Sequence, residues 1–279
     1  MLSRLCRLLA LSVLCLCPQL VLAEEASAWS KARGAAIRLV PGAAAKDGSR
    51  AAGLEIRLDP GWKTYWRNPG DSGVPPVFDW SKSDNLEAVH VSFPAPERLP
   101  DEGGVSIGYK HDVLFPLSVR AKDPGKPVAL ALALDYAVCE SICVPAKGEA
   151  SLRLEPGGSA PASLTTLIEA AEASVPLRQP IGAAGSPSVK AVKFRGETSP
   201  PSLEIDVLAA GEPAVFVEGP SDWFLPVPEP SAAASLAGGS HVFTLPLEGV
   251  PPGAHFPGTE LTLTLVTPEG AVEAAYTLP

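Results

Sequence analysis

Large apolar residues recur at every second position along much of this chain, and this period constrains the fold more than any other feature. Leu54, Ile56 and Leu58 alternate with charged residues, and the same spacing runs from Val128 to Leu134. Successive side chains of a strand point to opposite faces, so the period predicts antiparallel strands with one face buried. The 31 prolines and 25 glycines supply turns between short strands. The expected fold class is therefore all-β, with the strands arranged as β-sandwiches.

A second set of alternating residues, from Val192 to Tyr276, is separated from the first set by a helical pattern. Leu164, Leu167, Ile168 and Ala171 repeat at three and four residues, which predicts one short amphipathic helix. Proline-rich stretches on both sides of this helix suggest a joint between two domains. The predicted organisation is a signal peptide at residues 1–23, a first sandwich at 24–158, a helical linker at 159–185 and a second, non-catalytic sandwich at 186–279.

The first 23 residues have the pattern of a secretory signal peptide. Arg4 and Arg7 precede an apolar run from Leu8 to Leu22, and the small residue Ala23 ends the segment. The run is short for a membrane span, which needs about 20 residues. We therefore expect export, cleavage after Ala23 and a mature chain that does not insert into the membrane.

Charge narrows the classes of partner. The chain has a net charge of −9. Nucleic acids and anionic membranes repel an acidic surface, so neither is an expected partner.

Export would leave two of the five cysteines, because Cys6, Cys15 and Cys17 lie in the signal peptide. The remaining two, Cys139 and Cys143, are four residues apart and flanked by strand-like residues. They are expected to face each other across the end of a β-hairpin, where a disulfide is geometrically easy.

The spacing alone leaves the role of this pair open. A static structural disulfide is common in exported proteins, whereas a reversible disulfide would carry redox chemistry. A metal site would need further ligands, and the histidines show no paired spacing. These histidines are His90, His111, His241 and His255. We therefore expect no metal and no bound cofactor.

Four segments in one order resemble a known family. They are GWKTYWRNPGDSGVPP from Gly61, FPAPERLP from Phe93, GYKHDVLFPLSV from Gly108 and the cysteine segment from Asp135 to Glu155. Together they are similar to the N-terminal periplasmic domain of the DsbD/ScsB protein-disulfide reductases. The helical pattern and the second sandwich resemble the longer periplasmic region of ScsB-like members.

The resemblance implies a periplasmic protein with immunoglobulin-like sandwiches and a redox-active pair, Cys139 and Cys143. In such a protein the pair takes electrons from a membrane-embedded thiol reductase domain and passes them to thioredoxin-like periplasmic proteins. No such membrane domain follows in this sequence, so the resemblance implies a donor on another chain. It also implies that Cys143 forms the mixed disulfide and that Cys139 resolves it, although the spacing fits either order.

Aromatic residues before the cysteine segment are candidates for shielding the disulfide. Trp62, Tyr65 and Trp66 are expected to divide between the two faces of one strand, where most such residues serve packing. The resemblance implies that Tyr65 or Tyr109 covers the disulfide against bulk thiols.

Three carboxylates are candidates for tuning the thiols. If the resemblance holds, Asp101, Glu102 and Glu140 lie near the cysteines, where negative charge would raise the thiol pKa. Asp101 and Glu102 belong to a segment, residues 99–109, that resembles a protective cap loop. That segment has Gly103 and Gly104 where an aromatic lid is expected.

Two other functions remain open at this point. One is a non-catalytic binding or adaptor module of the cell envelope, with a structural disulfide. The other is a thiol-based copper-tolerance protein, suggested by the association of ScsB-like proteins with copper.

Overall fold

The fold was analysed in a computed structural model, which describes residues 24–279 apart from residues 71, 102, 103, 237 and 238 and the side chains of residues 101 and 232–236. The predicted signal peptide lies outside the described residues. Strands dominate the described residues, and they form four sheets in two sandwiches. The prediction of an all-β, immunoglobulin-like fold class is confirmed.

The first sandwich contains strands β1 to β11. Their bounds are β1 (Ser30–Ala32), β2 (Ala35–Ala44), β3 (Arg50–Leu58), β4 (Lys63–Gly70), β5 (Val77–Asp79), β6 (Leu86–Val91), β7 (Glu97–Asp101), β8 (Gly104–Tyr109), β9 (Val113–Ala121), β10 (Val128–Cys139) and β11 (Cys143–Leu154). One sheet has the order β1-β2-β3-β9-β6. The other has the order β11-β10-β4-β8-β7, with β5 also paired to β10.

The second sandwich contains strands β12 to β19. Their bounds are β12 (Leu177–Arg178), β13 (Ser188–Arg195), β14 (Ser202–Leu208), β15 (Ala214–Glu218), β16 (Glu229–Leu236), β17 (Ser240–Pro246), β18 (Glu260–Thr267) and β19 (Gly270–Thr277). The sheet orders are β12-β19-β18-β15 and β13-β14-β17-β16. Strand β12 lies within the segment expected to be a linker, and it pairs in parallel with β19.

Helix α1 (Ala162–Glu172) lies between the two sandwiches in sequence, where the spacing of apolar residues predicted a helix. Ile168 is its buried residue, and it packs against Val40 and Leu114 of the first sandwich. The apolar stripe therefore fastens the helix to the outside of one sheet.

The alternation in β10 has the predicted effect on packing. Val128, Leu130, Leu132 and Leu134 are each at most 3% exposed and belong to the core between the two sheets. The residues between them point to the other face. Burial of this row stabilises the sheet that carries both cysteines.

The two sandwiches share part of one core. Phe216 on β15 is fully buried and clusters with the core residues of the first sandwich. Its ring centroid is 5.9 Å from that of Trp66 on β4. Strand β4 is thus in contact with both sandwiches.

Among the described residues, no helix combines the length and the apolar character needed to cross a membrane.

Candidate functional site

The cysteine pair lies where the sequence predicted it, at the end of the β10–β11 hairpin. The hairpin register places Cys139 opposite Cys143, and the two are joined by a disulfide. Their Cα atoms are 4.0 Å apart. Residues 140–142 close the hairpin and are exposed. The predicted hairpin geometry is confirmed.

The two sulfur-bearing residues differ in exposure. Cys139 is only 5% exposed and packs against Tyr65 and Ala137. Cys143 is exposed, and the neighbouring Ile142 is 71% exposed. An approaching molecule can therefore reach Cys143 much more easily than Cys139.

The register of β4 decides which side chains surround the disulfide. Lys63 lies opposite Cys139, and Thr64 lies opposite the core residue Val138. Opposed residues share a face of a sheet and successive residues alternate, so Lys63 and Tyr65 lie on the face that carries the cysteines. Trp66 points to the core, where it is fully buried. The expectation that the aromatic residues divide between two faces is confirmed.

Tyr65 is in direct contact with the disulfide. Its hydroxyl oxygen lies 3.0 Å from Sγ of Cys143. A disulfide sulfur carries no hydrogen, so the hydroxyl is the donor in this state. The Tyr65 side chain is 1% exposed. The structure thus brings together the predicted aromatic residue and the exposed cysteine.

Gly73 lies over the ring of Tyr65. A Cβ atom at Gly73 would stand 2.6 Å from Cδ1 of Tyr65, closer than real Cβ contacts. Gly73 therefore allows the chain to pass directly over the ring. The cover over Tyr65 therefore includes Gly73.

The charged neighbours of the disulfide are only partly those expected. The Glu140 carboxylate turns towards the start of β4, with Oε1 3.6 Å from the position of a Cβ atom at Gly61. Lys63 donates from Nζ to Oγ of Ser106 over 3.0 Å. Glu102 and the side chain of Asp101 lie outside the described residues. Of the three predicted carboxylates, Glu140 is the one whose side chain the structure places near the site.

Tyr109 does not lie beside the cysteines. It pairs with Thr64 across β4 and β8, so its ring shares the core face of the sheet. Its hydroxyl donates to the carbonyl oxygen of Pro94 over 2.8 Å, and its ring centroid lies 5.6 Å from that of Phe115. Burial raises the pKa of Tyr109 well above its usual value. Because the phase of the strand turns it inward, Tyr109 is a core residue and, contrary to expectation, does not cover the disulfide.

Two residues that shape the site, Lys63 and Gly108, were not predicted from the sequence. Lys63 alternates in phase with Tyr65, and the period of two could have identified it. Gly108 lies opposite Tyr65, and a Cβ atom there would clash with the carbonyl oxygen of Thr64. Its place in the GYKHDV segment was noted, but no pattern in the sequence reveals that close approach.

Comparisons with known proteins agree with this geometry. Residues 36–155 match the family described as "Thiol:disulfide interchange protein DsbD, N-terminal". The matched segment contains both cysteines and ends one residue after β11.

The fold also matches a solved structure, the N-terminal periplasmic domain of ScsB from Proteus mirabilis. That match has a TM-score of 0.71 at 21% sequence identity, and it covers 92% of this chain and 99% of that chain. A search of curated proteins gave no match.

Proposed function

Because the first sandwich contains a DsbD N-terminal domain-like region, we propose that this protein performs thiol–disulfide exchange in the periplasm. It relays electrons from a membrane-embedded thiol reductase domain on another chain to thioredoxin-like proteins. The observation that carries the proposal is the disulfide at the hairpin end, with Cys143 exposed and Cys139 buried.

The relay consists of two exchange steps. In the first, a thiolate of the donor attacks Sγ of Cys143, Cys139 leaves as a thiolate and takes up a proton, and a mixed disulfide forms. The second donor thiolate then attacks its own partner sulfur and releases Cys143 as a thiolate, which is protonated. The donor ends as a disulfide and Cys139 and Cys143 as a dithiol, so two electrons and two protons are transferred.

The second step reverses this chemistry on an acceptor. The Cys143 thiolate attacks the acceptor disulfide and forms a mixed disulfide, and the acceptor's leaving sulfur takes up a proton. The thiolate of Cys139 then attacks Sγ of Cys143 and releases the second acceptor sulfur as a thiol. The difference in exposure supports this division of roles, because the attacking sulfur must reach another protein.

Tyr65 supports the exchange chemistry at Cys143. A hydrogen bond to a thiolate is charge-assisted and therefore stronger than one to a disulfide sulfur. The hydroxyl that now lies 3.0 Å from Sγ would thus stabilise the thiolate that attacks and leaves. Its buried ring also covers one side of Cys139. Glu140, whose carboxylate lies near the site, would act in the opposite sense by disfavouring negative charge on the thiols.

A purely structural role for the disulfide has weaker physical support. A bond that closes so short a loop stabilises a fold by about 2 kcal/mol through chain entropy. The first sandwich has an extensive core of its own, which includes Trp66, Phe115 and the inward row of β10. This bond therefore contributes little to a fold that the core already holds together.

The proposal is tested by titrating the native protein with dithiothreitol redox buffers. We expect the Cys139–Cys143 bond to open at a potential above roughly −300 mV, the upper range of structural disulfides. Circular dichroism should show an unchanged fold in the reduced protein. A bond that opens only when the sandwich unfolds would leave a structural disulfide and end the relay hypothesis.

Single-cysteine variants test the division of roles. Cys139→Ser leaves the exposed sulfur and Cys143→Ser leaves the buried one. With Ellman's reagent, we expect free Cys143 to react about tenfold faster than free Cys139, because reactivity follows access. A faster Cys139 would reverse the assigned roles, and equal rates would contradict the difference in access on which they rest.

A further inference from the structure

Strand β4 contacts the disulfide near its beginning and the second sandwich near its end. Tyr65 reaches Cys143, as described above. The next three residues, Trp66, Arg67 and Asn68, all contact the second sandwich. Adjacent residues of one strand therefore connect the redox site with a domain that has no cysteine.

Arg67 is the centre of this connection. Its guanidinium binds both carboxylate oxygens of Glu218 on β15, at distances from 2.7 to 3.1 Å. It also binds Oε2 of Glu273 on β19 at 2.6 Å. Bidentate arginine–carboxylate pairs fix orientation as well as distance. Burial lowers the pKa of Arg67, but the bonds to Glu218 and Glu273 outweigh this effect and raise it.

Contacts on both sides of Arg67 limit its movement. The guanidinium lies over the Trp66 ring, 4.4 Å from the ring centroid. Asn68 donates from Nδ2 to the carbonyl oxygen of Val217 over 3.3 Å. Its Oδ1 accepts a bond from the backbone N–H of Gly70, at the end of β4. The second sandwich thus holds the end of β4 that follows Tyr65.

We propose that the second sandwich positions the redox site, with Arg67 as the positioning residue that holds β4 so that Tyr65 meets Cys143. The proposal rests on the exchange function proposed above and assigns a role to the second domain. Residues two apart in a strand are about 7 Å apart. The O···S distance of 3.0 Å leaves little room for movement before the hydrogen bond is lost.

A second contact between the sandwiches provides a matched control. Arg98 on β7 binds Oε1 of Glu229 at 2.6 Å, and the Glu229 side chain is 67% exposed. This pair also joins the two domains, but it does not lie on β4. Loss of the pair should leave Tyr65 in place.

The experiment measures iodoacetamide alkylation of Cys143 against pH, with the full-length protein and every variant in a Cys139→Ser background. Removal of the Tyr65 donor by Tyr65→Phe should raise the pH midpoint of alkylation by about one unit. Arg67→Gln should also raise the midpoint, and Arg67→Lys should raise it by a smaller amount. Arg98→Gln should leave the midpoint unchanged.

The double variant decides whether Arg67 acts through Tyr65. If it does, Arg67→Gln adds nothing once Tyr65→Phe is present, because the bond that it positions is already gone. An equal shift by Arg67→Gln in both backgrounds would overturn the proposal. The same alkylation midpoint for Arg67→Gln and Arg98→Gln would also overturn the proposal.

Two features of the design separate this proposal from the function on which it rests. Alkylation of a single cysteine does not require the disulfide to open, so a bond that cannot be reduced would refute the relay alone. If Arg67→Gln fails to fold by circular dichroism, Glu218→Gln replaces it. That variant removes the bidentate acceptor and keeps the Arg67–Glu273 pair. A raised midpoint that disappears in the Tyr65→Phe background would support the proposal, and an unchanged midpoint or an equal shift in both backgrounds would overturn it.

Discussion

Tyr136 is a buried phenol that the proposed exchange chemistry does not use. It lies on β10, is 3% exposed and belongs to the core of the first sandwich. Its hydroxyl has no hydrogen-bond partner among the described residues. Burial raises the pKa of Tyr136 to about 12, because an ionised phenolate would lose its hydration.

This shift predicts a loss of stability in alkali. The pKa of tyrosine in the unfolded chain is about 10, below the folded value. Below about pH 10 the phenol is neutral in both states, so the free energy of unfolding is at its full value. It falls as the pH rises from about 10 to 12, by about 2 to 3 kcal/mol. Tyr136→Phe should remove this loss and raise the free energy of unfolding at neutral pH by about 1 kcal/mol.

Urea denaturation at a series of pH values checks the Tyr136 prediction. The difference between the wild type and Tyr136→Phe should widen above pH 10, and Tyr276→Phe, at a less buried phenol, should follow the wild type more closely. Parallel stability curves for the wild type and Tyr136→Phe would contradict it.

Individual site residues were predictable where local spacing determines them. Cys139 and Cys143 face each other because the flanking strands leave only three residues for the loop, and Tyr65 was identified from its motif. Tyr109 was misplaced because its motif does not reveal the phase of its strand. Arg67 was missed because its partners lie 151 and 206 residues away in the sequence.

Among the elements, the closest approach in the site is between β4 and β8. Gly108 lies opposite Tyr65, and a Cβ atom there would clash with the carbonyl oxygen of Thr64 and stand 2.9 Å from Cα of Tyr65. The obstacle is backbone, which cannot move aside as a flexible side chain can. A larger residue would have to push the two strands apart.

Gly108→Ala is therefore predicted to damage both stability and the site. Overpacking of this kind costs roughly 1 to 3 kcal/mol. The shift of β4 should also move Tyr65 and slow alkylation of Cys143. Urea denaturation and the alkylation assay measure the two effects. Gly125→Ala is the control, because its nearest neighbour would be the Asp123 side chain at 3.4 Å. Equal stability of the two variants would show that β4 and β8 can separate at no cost.

The types of the elements were more predictable than their partners. Alternation indicated β3 and β10, and the spacing of three and four residues indicated α1. Strand β3, however, pairs with β9, across more than 50 residues of intervening chain. Alternation shows that one face of a strand is buried but does not say which strands pair with it edge to edge. The sheet order therefore had to come from the structure.

At the scale of the whole molecule, the first described residue, Glu24, joins the start of the first sandwich to the chain that follows its last strand. Glu24 donates its backbone N–H to the carbonyl oxygen of Ser159 over 3.0 Å. Its Oε2 binds Arg50 at 2.7 Å, and both side chains are less than 10% exposed. Its Oε1 accepts a bond from the backbone N–H of Glu155, just after β11. The residue directly after the predicted cleavage site thus forms hydrogen bonds and an ion pair with the first sandwich.

We predict that the exported protein begins at Glu24 and that its carboxylate stabilises the mature fold. Cleavage after Ala23 would turn the Glu24 N–H into an ammonium group, which can still donate to Ser159. Glu24→Gln should lower the free energy of unfolding by roughly 3 kcal/mol, because Arg50 would remain buried without its counter-charge. The exposed neighbour Glu25 is the matched control, and Glu25→Gln should have little effect.

Mass spectrometry of the protein recovered from the periplasmic fraction and urea denaturation of both variants measure these outcomes. An N-terminus downstream of Glu24 would remove the ion pair from the mature protein. Equal stability of Glu24→Gln and Glu25→Gln would show that the pair with Arg50 contributes nothing. We expect cleavage after Ala23 and a loss of unfolding free energy that is specific to Glu24→Gln. Together these results would mean that the new N-terminal residue of the mature protein is one that the first sandwich uses for its own stability.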